Sequence, residues 1–277
     1  MIKPLAIATA ILFPFLVTPL ISVGATDRLK DDSLGSITIT ILYDNNAFAP
    51  GFKTEWGFSA LVEAEGRTIL FDTGGNGETL LSHMERLGND PRAISAIVIS
   101  HGHGDHTGGL HRVLEVNARL TVFVPQSFPE DFTEAVRAQG AEAMRVSQPL
   151  SIFPGIYSTG EVGQTIPEQA LVVSTTHGLV VITGCAHPGI VNVVSTAKSL
   201  LEKDVYLVLG GFHLMSKSDR DIESIIGAFQ EMGVTKVAPC HCTGDLARRL
   251  FQRNYGSSFI QTGVGKVIQI GENQTEP

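Results

Sequence analysis

The chain has 277 residues, of which 43% are hydrophobic and 17% charged, with 28 acidic against 20 basic side chains and a formal charge of −8. This balance excludes a disordered chain and a coiled coil, and the length suffices for one large core or two modest ones. An acidic surplus without any basic run argues against a nucleic-acid partner, because phosphate neutralisation needs Lys and Arg gathered on one face.

Residues 1–25 form the first predicted element, a secretory signal peptide. Lys3 is its only charge, an apolar run extends from Leu5 to Val23, and Val23 and Ala25 occupy positions −3 and −1 of a cut before Thr26. An uncleaved anchor is the rival, weakened by Pro4, Pro14 and Pro19. Cleavage implies an extracytoplasmic protein, periplasmic or secreted, that keeps no membrane contact and retains residues 26–277 as a single domain.

Strand-like runs then recur at Ile37–Tyr43, Phe58–Ala64, Thr68–Phe71, Ala96–Ser100, Leu120–Val124, Leu171–Ser174, Leu179–Thr183, Val205–Leu209, Lys236–Pro239 and Lys266–Ile270. Most are β-branched and apolar at successive positions, as strands covered on both faces must be. Amphipathic helical stretches separate them near Glu78–Leu87, Gly108–Val116, Glu130–Gln139, Ile190–Leu201, Asp219–Met232 and Asp245–Arg253. In the last, Leu246, Leu250 and Phe251 give one apolar stripe. This order suggests an α/β fold of two sheets packed face to face with helices outside. The segment from Gln126 to Gly163 mixes a helix with proline-rich loop and suits a lid or an entrance wall.

Nine histidines are present, four of them between His101 and His111. The strand at Ala96–Ser100 runs directly into His101-Gly-His103-Gly-Asp105-His106, and strand ends are where α/β sheets place their sites. His101 and His103, two apart on extended backbone, point the same way and can share one ion, while Asp105 and His106 can turn toward a second. Gly102 and Gly104 are expected to let the backbone crowd the metals. Three imidazoles and a carboxylate suit one or two divalent ions, zinc first, with manganese or iron as alternatives. His111 and His83 are expected on helix surfaces and His177 in a solvated hairpin turn.

His-x-His-x-Asp-His after a hydrophobic strand resembles the metallo-β-lactamase superfamily, which implies a four-layer αββα sandwich with metal between the sheets. Phe71-Asp72-Thr73-Gly74 resembles that family's early Asp-Thr-Gly turn, which implies that Asp72 accepts hydrogen bonds from ligands rather than binding metal itself. Thr183-Gly-Cys-Ala-His-Pro-Gly189, Gly210-Gly-Phe-His-Leu214, Pro239-Cys-His-Cys-Thr-Gly244 and Thr262-Gly-Val-Gly-Lys266 resemble its dihydropteroate synthase-like branch. So do Tyr43-Asp-Asn-Asn46 and Glu55-Trp-Gly-Phe-Ser59, although a histidine is expected where Trp56 stands. Members of the branch bear the name 7,8-dihydropterin-6-yl-methyl-4-(β-D-ribofuranosyl)aminobenzene 5′-phosphate synthase.

The resemblance implies His101, His103 and His187 at a first metal and Asp105, His106 and His241 at a second. Related hydrolases place a bridging Asp after a Thr-Gly or Ser-Gly step, where this chain has Cys185. The bridge is then water alone, or Cys185 lies close by. Strand alternation would turn His241 away from Cys240 and Cys242, which favours the cysteines as packing. His213, at another strand end, is expected to contact substrate or transfer a proton, with a structural role as its rival.

Divalent ions held by neutral imidazoles activate water and polarise a carbonyl or phosphoryl oxygen. The expected activity is therefore an exported metal-dependent hydrolase of a small molecule, an ester, lactam, thioester or phosphoester, with Asp105 orienting the nucleophile. The branch name implies instead a synthase displacing diphosphate from a pterin, whose substrates are cytoplasmic. A non-catalytic metal-binding or thiol redox-sensing protein is the remaining alternative; a flavodiiron-like oxidoreductase would need further carboxylates and a flavin.

Overall fold

The computed structural model describes residues 29 and 31–271, so the signal peptide expected at 1–25 lies outside the described residues. Among the described residues no helix is long and apolar enough to cross a membrane.

The first half of the chain builds one sheet and its helices. Strands β1 (Ser36–Tyr43), β2 (Ser59–Ala64) and β3 (Arg67–Phe71) form antiparallel hairpins, followed by helix α1 (Gly77–Arg86). Then come β4 (Ala96–Val98), the short α2 (Gly104–Thr107), α3 (Leu110–Val116), β5 (Thr121–Pro125), α4 (Glu130–Ala138) and β6 (Glu142–Val146). The second half contributes β7 (Leu150–Phe153), β8 (Ile156–Ser158), β9 (Leu171–Thr175), β10 (Gly178–Thr183), α5 (Ile190–Leu201), β11 (Val205–Gly211), α6 (Asp219–Glu231), β12 (Lys236–Cys240) and α7 (Asp245–Tyr255). The last strand, β13 (Val267–Gly271), returns to pair antiparallel with β1. The sheet orders are β13-β1-β2-β3-β4-β5-β6 and β12-β11-β10-β9-β8-β7.

Period-2 alternation explains why both sheets are buried on both faces. Along β1 and β2, Ile37, Ile39, Ile41, Ala60 and Val62 enter the cluster between the sheets, where Val180, Ile182, Leu207 and Leu209 meet them. Their alternates face outward into helix-covered clusters: Leu42, Leu61 and Ile97 with α1 and α3, and Leu179, Val181 and Val208 with α5, α6 and α7. Under α6 and α7 the rings of Phe212, Phe229 and Phe251 pack with centroids 5.5–5.8 Å apart. The result is the four-layer αββα sandwich.

Two expectations fail here. The segment Gln126–Gly163 is not a lid: beyond α4 it supplies β6 at one sheet edge and the β7–β8 hairpin at the other. His83 is buried rather than solvated, because it shares the inward face of α1 with Leu80 and Met84, and its Nδ1 lies 2.8 Å from the carbonyl of Leu42. His111 and His177 are exposed.

Candidate metal centre

The strand ends of the two sheets converge on one cluster of imidazoles. His101 and His103 follow β4, Asp105 and His106 lie on α2, His187 follows β10, and His241 follows β12. Ring centroids are 4.7 Å apart for His101–His103, 4.8 Å for His101–His187, 4.2 Å for His101–His106 and 5.0 Å for His106–His241. Donor atoms of His101, His103 and His187 all lie within 4.8 Å of one another, and so do those of Asp105, His106, Cys185 and His241.

Three of these histidines are gripped twice, at the ring and at the main chain, from another loop, His187 and His241 by one residue each and His106 by two neighbours. Asp72 Oδ2 lies 2.6 Å from His106 Nδ1, while the Thr73 amide and hydroxyl both donate to the His106 carbonyl, at 2.8 and 2.9 Å. Glu168 accepts from the amides of Ala186 and His187, at 2.8 and 3.0 Å, and holds His187 Nδ1. Asn45 Oδ1 lies 2.9 Å from His241 Nδ1, and its amide donates to the His241 carbonyl at 3.2 Å. A fourth ring, His101, has its Nδ1 2.9 Å from Ser100 Oγ, which itself donates to Asp72 at 2.7 Å.

These acceptors place a proton on Nδ1 of all four rings and leave the Nε2 lone pairs free to face the cluster, the tautomer a metal ligand needs. His241 Nε2 is buried without a hydrogen-bond partner, 3.3 Å from Asp105 Oδ2. His101 Nε2 and His103 Nδ1 stand 3.1 Å apart; two nitrogens sharing one tetrahedral zinc stand about 3.3 Å apart, given bonds of about 2.0–2.1 Å. The residues therefore fit divalent ions.

The electrostatics agree. Burial, helped by the neighbouring imidazoles of His106, His187 and His103, pushes His101 down to about 2, so it is neutral at physiological pH. Burial opposes ionisation of Asp105, yet the neighbouring His241 and His106 imidazoles hold it well below the usual carboxylate range. Glu168 behaves likewise, brought down to about 2 against its burial by His187 and His101. Asp105 and Glu168 thus supply negative charge on either side of the imidazoles.

The cysteines divide. Cys240 ends β12 and is wholly buried against Asp44, as a packing residue would be. The strand stops there, and His241 turns into a 3-10 helix with φ of 46°, so the alternation expected to separate His241 from the thiols does not operate. Cys185 Sγ lies 3.3 Å from His106 Nε2, inside the second donor set, at the position where a bridging Asp was missed. Cys242 hydrogen-bonds to Cys185 and to His213. His213, exposed, lies 4.4 Å from His187 with the rings tilted by 49°, and the neighbouring Cys242 pushes its pKa up. Against the protein itself Gly102 and Gly104 have room: a Cβ would come no closer than 3.8 Å to another residue at the first and would meet nothing at the second. Crowding falls instead at Gly57 and Gly184, where a Cβ would lie 2.4 Å from the Asp105 carbonyl and 2.1 Å from Ser100 Oγ.

Two contributors carry no role in the sequence reading. Asn45 belongs to a quoted motif without an assigned task. Glu168 has a detectable signal, being the only formally charged residue between Glu161 and Lys198, placed just before the strand that opens Leu171-Val-Val.

The sequence model of the metallo-beta-lactamase superfamily matches residues 57–198, from the Gly57 turn through the histidine loop to α5. The chain belongs to the metallo-β-lactamase superfamily. A curated superfamily relative from Methanocaldococcus jannaschii, the 7,8-dihydropterin-6-methyl-4-(beta-D-ribofuranosyl)-aminobenzene-5'-phosphate synthase, is 29% identical over 90% of this chain and 99% of its own length. An uncharacterized protein of the same organism is 34% identical over 84% of this chain and 100% of its own. The crystal structure of Tm1679, described as a metal-dependent hydrolase of the beta-lactamase superfamily, is 31% identical, covers 85% of this chain and 100% of its own, and superposes with a TM-score of 0.71. Both the sandwich and the dihydropterin-synthase branch read from the motifs agree with these relatives. Metallo-β-lactamase membership also implies divalent metal at the cluster.

Proposed function

We propose that the protein is a metal-dependent hydrolase of a small ester, lactam, thioester or phosphoester, acting outside the cytoplasm after removal of residues 1–25. The observation that carries this reading is the set of four backed imidazoles whose free Nε2 atoms converge beside ionised Asp105. His101, His103 and His187 would hold one ion, and Asp105, His106 and His241, with Cys185 adjacent, a second; zinc suits this mixed nitrogen, oxygen and sulfur set best. Bound there, divalent metal lowers the pKa of water and polarises a carbonyl or phosphoryl oxygen.

The chain's own residues do the rest. Asp105 Oδ2, 3.3 Å from His241 Nε2 and 3.5 Å from His106 Nε2, would orient the attacking water. His213, open to solvent beside His187, is placed to give a proton to the leaving group. Asp72, Glu168 and Asn45 keep the rings in one tautomer through the cycle.

The second reading, a synthase, is favoured by the name of the 29% identical relative that aligns over nearly its whole length. The two separate experimentally. Elemental analysis of the purified protein is expected to find one or two zinc ions per chain. The loaded protein is expected to hydrolyse at least one member of a panel of lactones, lactams, thioesters and phosphodiesters, and His103→Ala to abolish that turnover. A panel left untouched above the rate of free zinc would sink the hydrolase.

A further inference from the structure

Among the described residues only five large apolar side chains are exposed: Phe48, Trp56, Met144, Met215 and Val267. Two of them border the turn that carries His241. The indole of Trp56, 50% exposed, lies 4.9 Å from the His241 ring at a tilt of 53°. Met215, 63% exposed, packs on Gly244 of the same turn, where a Cβ would come within 2.9 Å of its Cγ.

Trp56 is held there on a rigid loop. The amide of Glu55 donates to the carbonyl of Asp44 at 3.3 Å, and Tyr43 donates to the Glu55 carboxylate at 2.9 Å. On the other side the Phe58 amide donates to the Asp105 carbonyl at 3.2 Å, and Gly57, at φ of 140°, lets that carbonyl approach. The segment carrying the indole is thus tied on one flank to the end of β1 and on the other to the loop carrying Asp105, yet half the indole surface stays open. Phe48, by contrast, is covered by the ammonium of Lys266 at 4.6 Å, and among the described residues no cation lies over Trp56.

An open indole face and a flexible thioether beside a polar reaction centre are the apolar wall that such a cluster lacks, and an indole binds best what it can stack against. We propose that Trp56 is the platform for a planar aromatic or heteroaromatic group of the substrate, whose reacting bond lies at the histidine cluster. This rests on the proposed hydrolase only for where the reacting bond sits. It narrows the substrate to esters, lactones or phosphoesters carrying a flat ring next to the scissile group.

Trp56 is the only tryptophan in the chain, so intrinsic indole fluorescence reports this position alone. The test uses the full chain loaded with zinc and two probes that are not turned over, 2-naphthylphosphonate and methylphosphonate. Calorimetry is expected to show the naphthyl compound binding about two- to tenfold more tightly, the range of one aromatic stacking contact, and its binding to quench the Trp56 emission. Trp56→Ala should erase the aryl preference with zinc content unchanged, and Trp56→Phe should keep part of it. Equal affinities for the two phosphonates, no binding of the naphthyl compound, an emission that does not respond, or an aryl preference that survives Trp56→Ala each overturns the proposal. Because neither probe is hydrolysed, an intact aryl preference alongside an untouched substrate panel sinks the hydrolase and leaves the platform, whereas the converse sinks the platform alone.

Discussion

Among the described residues, four of the six non-glycine residues with left-handed backbone stand at the metal centre: Asp72 at φ of 54°, Ala186 at 59°, His213 at 54° and His241 at 46°. Such conformations cost of order 1–3 kcal/mol each and persist only where surrounding contacts over-determine them. At Asp72 those contacts are visible: Oδ1 accepts from the Ser100 amide at 2.7 Å, and Oδ2 accepts from Ser100 Oγ and faces His106 Nδ1. Both oxygens act as acceptors, so Asp72→Asn, which keeps the shape, must set an amide NH2 against a donor. Metal affinity is expected to fall about 10–100-fold, measured by competition with a chromogenic chelator, and wild-type affinity in the variant would remove Asp72 from this role. The spacing of histidines is legible in a sequence because ligands cluster along the chain. Among their partners Glu168 shows only as a lone charge in a long uncharged stretch and Asn45 does not show at all, because what selects them is reach across loops and a backbone twist that no residue spacing announces.

At the level of elements, strands covered on both faces were the easiest to read, since runs such as Val205–Leu209 and Leu179–Thr183 admit little but a buried strand. The three strands missed, β6, β7 and β8, are short and lie at or next to sheet edges, and β6 and β7 are largely half-exposed, with Glu142 and Arg145 interrupting the apolar pattern of β6. Such edges need no continuous apolar signal. His83 was misplaced for the opposite reason, because residue type outweighed its i, i+3, i+4 phase with Leu80 and Met84. The two sheets come into close contact where Gly184, after β10, meets Ser100, after β4, and a Cβ there would also lie 2.9 Å from Asp72 Oδ2. Gly184→Ala is therefore expected to cost about 1–3 kcal/mol through overpacking and to lower zinc content, since Ser100 backs both His101 and Asp72. Urea unfolding and elemental analysis read the two effects, and a variant matching the wild type in both would show that the sheet ends have slack.

For the whole molecule, the donors come from both halves of the sandwich. His101, His103, Asp105 and His106 belong to loops of the first sheet, His187 and His241 to strand ends of the second. Metal held between them adds a link between two layers that already meet through the apolar cluster and through hydrogen bonds such as those from Gln169, before β9, to the Ile99 and Phe123 carbonyls at 2.8 and 3.1 Å, and it binds only the folded chain, so occupancy adds directly to global stability. At a free zinc concentration about a thousandfold above Kd the gain is about 4 kcal/mol, and for a chain of this size each kcal/mol moves Tm by about 2–4 °C. Chelation is thus expected to lower Tm by about 8–16 °C, reversed by added zinc and much reduced in His103→Ala, as read by scanning calorimetry. A Tm indifferent to chelator would mean that the two sheets are already locked without metal, and that the converging imidazoles contribute nothing to holding the sandwich together.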